Sequence, residues 1–431
     1  MLANIGDLWG GSGARGGSNE PGLAGPPARP QRGTRTTGGR SNRRTAWKVA
    51  AACVSAAALV SVAACSSSSS SSPSGSSSGS SAPADAGSSG AAQGANVAAA
   101  QAAIAPYEGH PSAFPVTDAL PEKLPAGKKF VFLQCGTPFC ALAGMSLQAA
   151  VGAIGGKFIK LDAGTTASSA QAAASSALAL KPDVVFMTVD PSLFGDGLKE
   201  LSTAGVKVVS ISIAKDATPY GVTFNYIGAS EVDNDGKLLA DWVIAHNGAK
   251  ANAVFYGLPT FDFSNPLQQA FVNEMKKECP SCAVRTVPID ASTIGTTAPS
   301  TVVADLQAHP ATNVAVFVSL QIAQGLPAAM KAAGLTGITT VGRGPTPGNL
   351  QDIKTGALTA ALAIDAPVST WTAVDSAARL LEGGQPTASE KAGDLDEQFL
   401  AQKDITFNTT DGWIGYPDFT QRYATLWHTA G

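Results

Sequence analysis

Much of what catalysis requires is missing from these 431 residues. No Walker-type phosphate loop occurs, and no Gly-x-Ser-x-Gly elbow stands between a strand pattern and a helix pattern. The four histidines, His110, His246, His309 and His428, are scattered and share no metal-ligand spacing. Gly11-Ser12-Gly13-Ala14-Arg15-Gly16 matches a dinucleotide fingerprint in letters, but no strand precedes it and no apolar helix follows. Together these absences argue against an enzyme and call for no cofactor and no metal. Large apolar side chains are also scarce through the first hundred residues, which are mostly Gly, Ser, Ala, Pro and Arg. Such a stretch cannot bury enough surface to offset its ordering entropy. What remains from Pro106 onward is roughly 300 residues, room for two lobes of ordinary size.

The net charge of −3 conceals an asymmetry. Residues 1–48 form a basic leader in which Arg15, Arg29, Arg32, Arg35, Arg40, Arg43, Arg44 and Lys48 face only Asp7 and Glu20. An acidic body behind a basic leader argues against nucleic-acid binding by the folded part. The uncharged run 49–64 follows, sixteen residues against the about 20 a membrane span needs. Basic, apolar, then small residues is the order of an export signal. Val62-Ala63-Ala64-Cys65 at its end resembles a bacterial lipobox, which implies lipidation of Cys65. Arg43-Arg44 before Trp47 and Lys48 is similar to a twin-arginine signal and equally fits an ordinary basic n-region. The leader is longer than usual n-regions, which places the expected translation start downstream of Met1. Residues 65–105 then read as the lipidated cysteine and a Ser/Gly/Ala-rich flexible tether.

Six cysteines are present. Cys53 lies in the apolar run and Cys65 at its end, which leaves Cys135, Cys140, Cys279 and Cys282. Four cysteines permit three pairings; proximity favours Cys135 with Cys140 and Cys279 with Cys282, and export permits disulfides. Cys279-Pro280-Ser281-Cys282 has redox-motif spacing, but the helix pattern precedes it. Cys279 therefore meets the negative end of that helix, which does not lower a thiol pKa. Cys140 lies near a helix start, so a reactive thiol there is the minor reading.

From Lys129 strands and helices alternate. Strand patterns cover 130–134, 158–161, 183–189, 207–213 and 226–228, then 253–256, 284–288, 314–318, 339–342 and 358–364. Helix patterns cover 141–154, 167–180, 198–204, 231–246, 266–278, 300–308 and 323–333. Short continuous apolar strands separated by helices indicate parallel sheets covered on both faces, built from right-handed βαβ units. The expectation is α/β: two similar doubly wound lobes, residues 129–228 plus 365–400 and residues 229–364 plus 401–431.

Several segments in order carry a resemblance. They are Lys181-Pro182-Asp183-Val184-Val185-Phe186 with Gly205-Val206-Lys207-Val208-Val209, and Tyr226-Ile227-Gly228 ahead of Gly236-Lys237-Leu238-Leu239-Ala240. His309-Pro310, the run Ala323, Gly325, Ala332, Ala333 and Gly334, and Thr340-Val341-Gly342 with Gly356 and Asp365 complete the set. Over 129–411 this resembles the type I periplasmic solute-binding proteins of sugar ABC transporters, the ribose and xylose group. The resemblance implies a periplasmic binding protein type I fold with a three-segment hinge and a ligand at the carboxyl ends of the strands. It further implies a substrate-binding lipoprotein of an ABC importer, monomeric, tied to the outer face of the cytoplasmic membrane through its lipid only. Its partners are then a small-molecule ligand and an ABC transporter permease. The nearest alternative is a ligand-binding sensor coupled to a receptor kinase; a surface hydrolase on an α/β fold predicts a nucleophile–base pair the sequence does not offer.

The chain departs from sugar binders where they hold hydroxyls. Ser319-Leu320 replaces Asn-Asp, Gly342-Arg343-Gly344 replaces Gly-Phe-Asp, and the Arg that often opens the 266–278 helix is missing. At the strand ends stand Gln134, Phe139, Asp190, Phe261, Asp262, Phe263, Gln321, Arg343 and Asp365, the candidate ligand-binding residues. Each Phe also reads as core, and Asp190 and Asp365 also read as cap or turn residues. With carboxylates lost and aromatics gained, the expected ligand is sugar-like or less hydroxylated and aromatic, with an anionic group facing Arg343.

Overall fold

The computed structural model describes residues 94–393 and 396–430. The basic leader, the apolar run, Cys65 and the serine tract lie outside the described residues.

Two sheets organise the chain. The first holds β1 (Lys129–Gln134), β2 (Lys157–Asp162), β3 (Val184–Met187), β4 (Lys207–Ile211) and β5 (Phe224–Tyr226), in the order β2-β1-β3-β4-β5. The second holds β6 (Asn252–Gly257), β7 (Ala283–Pro288), β8 (Val314–Phe317), β9 (Thr339–Arg343), β10 (Ala360–Ile364) and β11 (Glu397–Ala401), in the order β11-β10-β9-β8-β6-β7. All pairings are parallel except β10 with β11. The two sheets thus repeat one strand order, with an antiparallel edge strand added to the second. Central strands such as Val184–Met187 and Val314–Phe317 are buried at every residue, as a sheet covered on both faces demands. The edge strands β2 and β7 alternate with exposed positions instead.

Helices α1 (Val97–Ile104), α2 (Pro138–Ala153), α3 (Ala167–Leu180), α4 (Gly197–Thr203), α5 (Ala229–Asn247) and α6 (Ser264–Glu278) are followed by six more. These are α7 (Ala298–Ala308), α8 (Leu326–Ala332), α9 (Pro347–Lys354), α10 (Ala366–Leu381), α11 (Ala388–Ala392) and α12 (Phe419–Leu426). Most of the expected elements stand within a few residues of their sequence limits. The helix expected over 323–333 is interrupted, because Gly325 takes φ +81° and Pro327 in the first turn of α8 has no N–H to donate. α10 was not anticipated: its residues are buried nearly all round, so no polar face marks it as a helix.

The ends of the described chain correct three boundaries. The tether expected to run to residue 105 becomes helical at Asn96, whose side chain caps α1. Ala100 and Ile104 then pack α1 on α5 and α6, and the Asn96 N–H donates to the Glu278 carbonyl at 2.7 Å. Residues 397–400, expected with the first lobe, form most of β11 on the second sheet, because Phe399 and Leu400 find burial along the open edge of β10. The tail from 401, expected with the second lobe, returns to the first. Phe419, Tyr423 and Trp427 repeat every four residues, form one stripe, and join the core of Phe130, Leu147, Phe186 and Trp371. Trp427 is fully buried, stacks on Trp371 at 5.2 Å, and donates its indole N–H to Asp375 at 2.6 Å.

The chain therefore passes between the lobes at more than three places. Ile227–Gly228 and Asp365 make two crossings, a third falls between α11 and β11, and the stretches following α1 and preceding α12 add two. The tail meets the hinge at Asp365, whose carboxylate accepts from the Gly415 N–H at 2.7 Å.

α5 and α6 lie so close that a Cβ on Gly236 would clash with the Leu267 carbonyl. Beside this contact Asp241 is nearly buried, and burial together with Glu274 and Glu278 raises its pKa to about 7. The folded state then binds more protons than the unfolded one between the ordinary carboxylate range and pH 7, so stability falls as pH rises through that window. Asp241→Asn is expected to raise the thermal midpoint at pH 8 and to change it little at pH 4, read by thermal unfolding at both pH values.

Candidate functional site

In a parallel sheet every strand delivers its carboxyl end to the same edge, and a crevice forms there. Here both sheets deliver theirs to one cleft. From the first lobe come Thr137 and Phe139 after β1, Thr188 after β3, Ser212 after β4 and Ile227 after β5. From the second come Phe261 and Phe263 after β6, Ser319 and Gln321 after β8, Arg343 and Gly344 at the end of β9, and Ile364 of β10. Ser369 and Thr370 on the first turn of α10 close the floor. The cavity has an empty volume of about 770 Å³, its opening included.

Local chemistry places each group. Thr137 caps α2 by accepting from the Cys140 N–H at 3.4 Å, which presents Phe139 on the first turn. The sulfurs of Cys135 and Cys140 are paired around this loop, and those of Cys279 and Cys282 are paired beyond α6. Ser212 and Ile227 both sit in the left-handed region, at φ +61° and +64°. For a β-branched residue such as Ile227 this is strained, and it falls at a lobe crossing and on the cavity wall. The Phe139 N–H donates to Gln321 Oε1 at 3.1 Å, joining the two lobes across the cleft.

Among the described residues of the wall, Arg343 is the charged one. It is 6% exposed, and its guanidinium carbon lies 5.6 Å from the centre of the Phe263 ring. Its Nε lies against the carboxylate of Asp235 on α5, while Nη2 has no acceptor among the described residues. Behind this pair Glu231, Asp235 and Glu397 approach within 4.8 Å of one another, all buried. They are the grouping with metal-ligand spacing among the described residues, and the guanidinium supplies positive charge at Asp235. Burial raises the pKa of Asp235, against the pull of Arg343. Burial and the neighbouring carboxylates hold Glu397 well above the ordinary range.

The structure gathers five of the nine candidate residues at the cavity: Phe139, Phe261, Phe263, Gln321 and Arg343. The other four do not line it. Gln134 ends β1 on the α2 side, near Gly144, Met145, Phe158 and Lys160, because alternation along the strand turns it from the cleft. Asp190 caps a short turn through the Ser192 N–H at 2.8 Å and binds Lys215 at 2.6 Å. Those contacts outweigh burial and hold its pKa low. Asp262 accepts from the Ala214 and Lys215 N–H groups at 2.7 and 2.9 Å. Asp365 is fully buried as the cap of α10, accepting from Val368 at 3.0 Å, and burial lifts its pKa to about 7 against those N–H groups. The hydroxyl residues Thr137, Thr188, Ser212, Ser319, Ser369 and Thr370 were missed. For Thr137, Thr188, Ser212 and Ser319 the position just past a strand end was the available signal, but Ser and Thr are too common in this sequence to stand out; Ser369 and Thr370 lie inside α10 and had no such signal.

A family model described as periplasmic binding protein domain matches residues 129–385. An ABC transporter solute-binding protein from Agrobacterium vitis, solved with allitol, is 21% identical with a TM-score of 0.55, covering 64% of this chain and 96% of that one. A myo-inositol-binding protein from Caulobacter, solved with myo-inositol, is 20% identical with a TM-score of 0.56, covering 68% and 97%. An ABC transporter solute-binding protein from Mycobacterium smegmatis, solved with glycerol, is 16% identical with a TM-score of 0.56, covering 65% and 96%. No curated protein matches the chain.

Removing one partner of a buried ion pair leaves the other charge uncompensated and costs about 3–5 kcal/mol. Arg343→Met is expected to lose stability of that order at pH 8. The loss should be smaller at pH 5, nearer the ordinary carboxylate range, because burial raises the pKa of both Asp235 and Glu397 and so favours their neutral forms. Urea unfolding at the two pH values measures both effects.

Proposed function

The chain belongs to the periplasmic binding protein domain family, a family of binding proteins and not of enzymes, and from this we propose that it is the substrate-binding component of an ABC importer. The observation that carries the reading is the cavity walled from both lobes by residues at the carboxyl ends of strands of two sheets with one strand order. A solute touching both walls favours the closed arrangement over the open one, and the closed form then docks on a permease. No chemistry on the solute is involved.

The proposed location is outside the cytoplasmic membrane, with Cys65 lipidated and residues 66–93 as a tether. Among the described residues no helix is long and apolar enough to cross a membrane. In that setting the paired cysteines are disulfides. Closing the short Cys135–Cys140 loop restrains the unfolded chain by only about 2 kcal/mol. Its larger effect is to hold Thr137 and Phe139 at the cavity before the solute arrives.

The solute class follows from the wall. The relatives named above hold polyols, whose hydroxyls suit carboxylate acceptors. Among the described residues that line this cavity none is a carboxylate, while Phe139, Phe261 and Phe263 offer aromatic faces and six hydroxyl groups surround them. We propose a solute less hydroxylated than a sugar, with a planar or apolar body against the phenylalanines and an acceptor at Nη2 of Arg343. An anionic acceptor was the expectation from sequence. Since Asp235 already opposes the guanidinium charge, a neutral carbonyl also satisfies Nη2.

Native mass spectrometry of the purified protein should reveal a co-purified small molecule. In a thermal-shift screen, aromatic carbonyl and carboxyl compounds should stabilise the protein more than allitol, myo-inositol or glycerol, and Phe263→Ala should reduce that shift. Strong stabilisation by the polyols alone would reject the solute class while leaving the importer reading intact. Cys65→Ala should move the protein from the membrane fraction to the soluble fraction on cell fractionation; unchanged membrane retention rejects the anchor.

A further inference from the structure

Asp190 and Asp262 have the position of ligand-binding carboxylates and the contacts of something else. Asp262 belongs to the second lobe, in the loop after β6. Its Oδ2 accepts from the N–H groups of Ala214 and Lys215, at 2.7 and 2.9 Å, in the first-lobe loop after β4. Its Oδ1 lies 3.3 Å from the ammonium of Lys215. That ammonium is 2.6 Å from Asp190 of the first lobe, which is itself steadied by the Ser192 N–H and hydroxyl at 2.8 and 2.7 Å. Lys215 also lies over the ring of Tyr220, 5.4 Å from its centre. The first lobe thus holds both backbone donors and a pre-positioned cation, and the second lobe contributes one carboxylate whose side chain is 10% exposed.

We propose that Asp262 and the Ala214–Lys215 loop form a clasp between the lobes that closes the cleft without any solute. Every bond in it is between protein groups. Charge-assisted bonds of a largely desolvated carboxylate to two N–H donors and an ammonium are stronger than neutral ones. The Phe139 to Gln321 bond, also between lobes, adds to them on the cavity wall. Two consequences follow. First, the Asp262 carboxylate is committed to closure and Asp190 to holding Lys215 for it, so both are withdrawn from solute hydroxyls, and the described residues that line the cavity include no carboxylate. Second, the affinity a solute displays is reduced only by the fraction of protein that is open, so a closed empty state removes much of the conformational cost of binding. The proposal rests on the two-lobed reading but not on the identity of the solute or on a permease.

The test is residue-resolved amide hydrogen exchange on the full-length protein freed of solute by partial unfolding and refolding. The amides of Ala214 and Lys215 are expected to be protected, and Asp262→Ala to speed their exchange at least tenfold while Phe255 and Val316, in the central strands, keep their rates. Lys215→Met retains both amides and should speed their exchange by a smaller factor. Small-angle scattering of the same solute-free samples should give a larger radius of gyration for Asp262→Ala than for the unaltered chain. Equal exchange at Ala214 and Lys215 in the unaltered protein and Asp262→Ala, or equal radii, overturns the clasp. Should Asp262→Ala not fold, equal exchange in the unaltered protein and Lys215→Met overturns it. Solute binding in the screen above is read separately, so loss of the clasp and loss of the importer reading are distinct results.

Discussion

Parallel strands impose a polarity that the rest of this molecule inherits. Each βαβ unit returns the chain over the face of the sheet and starts the next strand in the same direction, so five successive carboxyl ends in each lobe collect on one edge. Side chains just past those ends are held by rigid strands yet free of the ladder. Set edge to edge, the two lobes place loops from β1, β3, β4 and β5 opposite loops from β6, β8, β9 and β10. The cavity, the interlobe bonds and the hinge are all consequences of that arrangement. The hinge is short because strands β5 and β10 run directly into helices of the other lobe.

Buried charge is handled by pairing, and the pairing decides what the cleft can offer. Arg343 reaches the wall with its charge opposed by Asp235, with Glu397 and Glu231 close behind. Asp365, one residue past β10, caps α10 and accepts from the tail at Gly415. In each case a carboxylate near the cleft serves the protein's own backbone or cations. What is left for a solute is a guanidinium edge, a set of hydroxyls, one amide and three aromatic rings. This is a different surface from one built to clamp vicinal hydroxyls with several carboxylates.

The terminal segments show how a small hinge is reinforced. α1 packs on the second lobe and the chain then enters the first; the tail runs along the second lobe and returns to the first through Trp413 and Gly415. Trp427 and Arg379 converge on Asp375, and the Arg379 guanidinium also reaches the carbonyls of Asp118 and Ala119. The segment ahead of β1 and the tail therefore both tie down α10, the helix whose first turn forms the cavity floor.

The sequence by itself determined the secondary structure of the two βαβ rounds, the parallel sheets and the family. These depend on local periodicity and apolar runs, which a single chain displays directly. It also singled out Phe139, Phe261, Phe263, Gln321 and Arg343, because a residue type that stands out next to a strand end is visible without coordinates. Only the tertiary structure decided that Gln134 turns away, that Asp190 and Asp262 bind Lys215, and that Asp365 is a buried cap. A carboxylate at a strand end looks the same in sequence whether it faces a solute, a lysine or an N–H group. The partner that decides between them lies 25 residues away for Asp190 and 47 for Asp262. The same holds for α10 and for the tail, whose apolar residues carried no mark of which lobe they would cover. Burial is a property of the assembled surfaces, and the pattern along a helix records it only where one face stays wet.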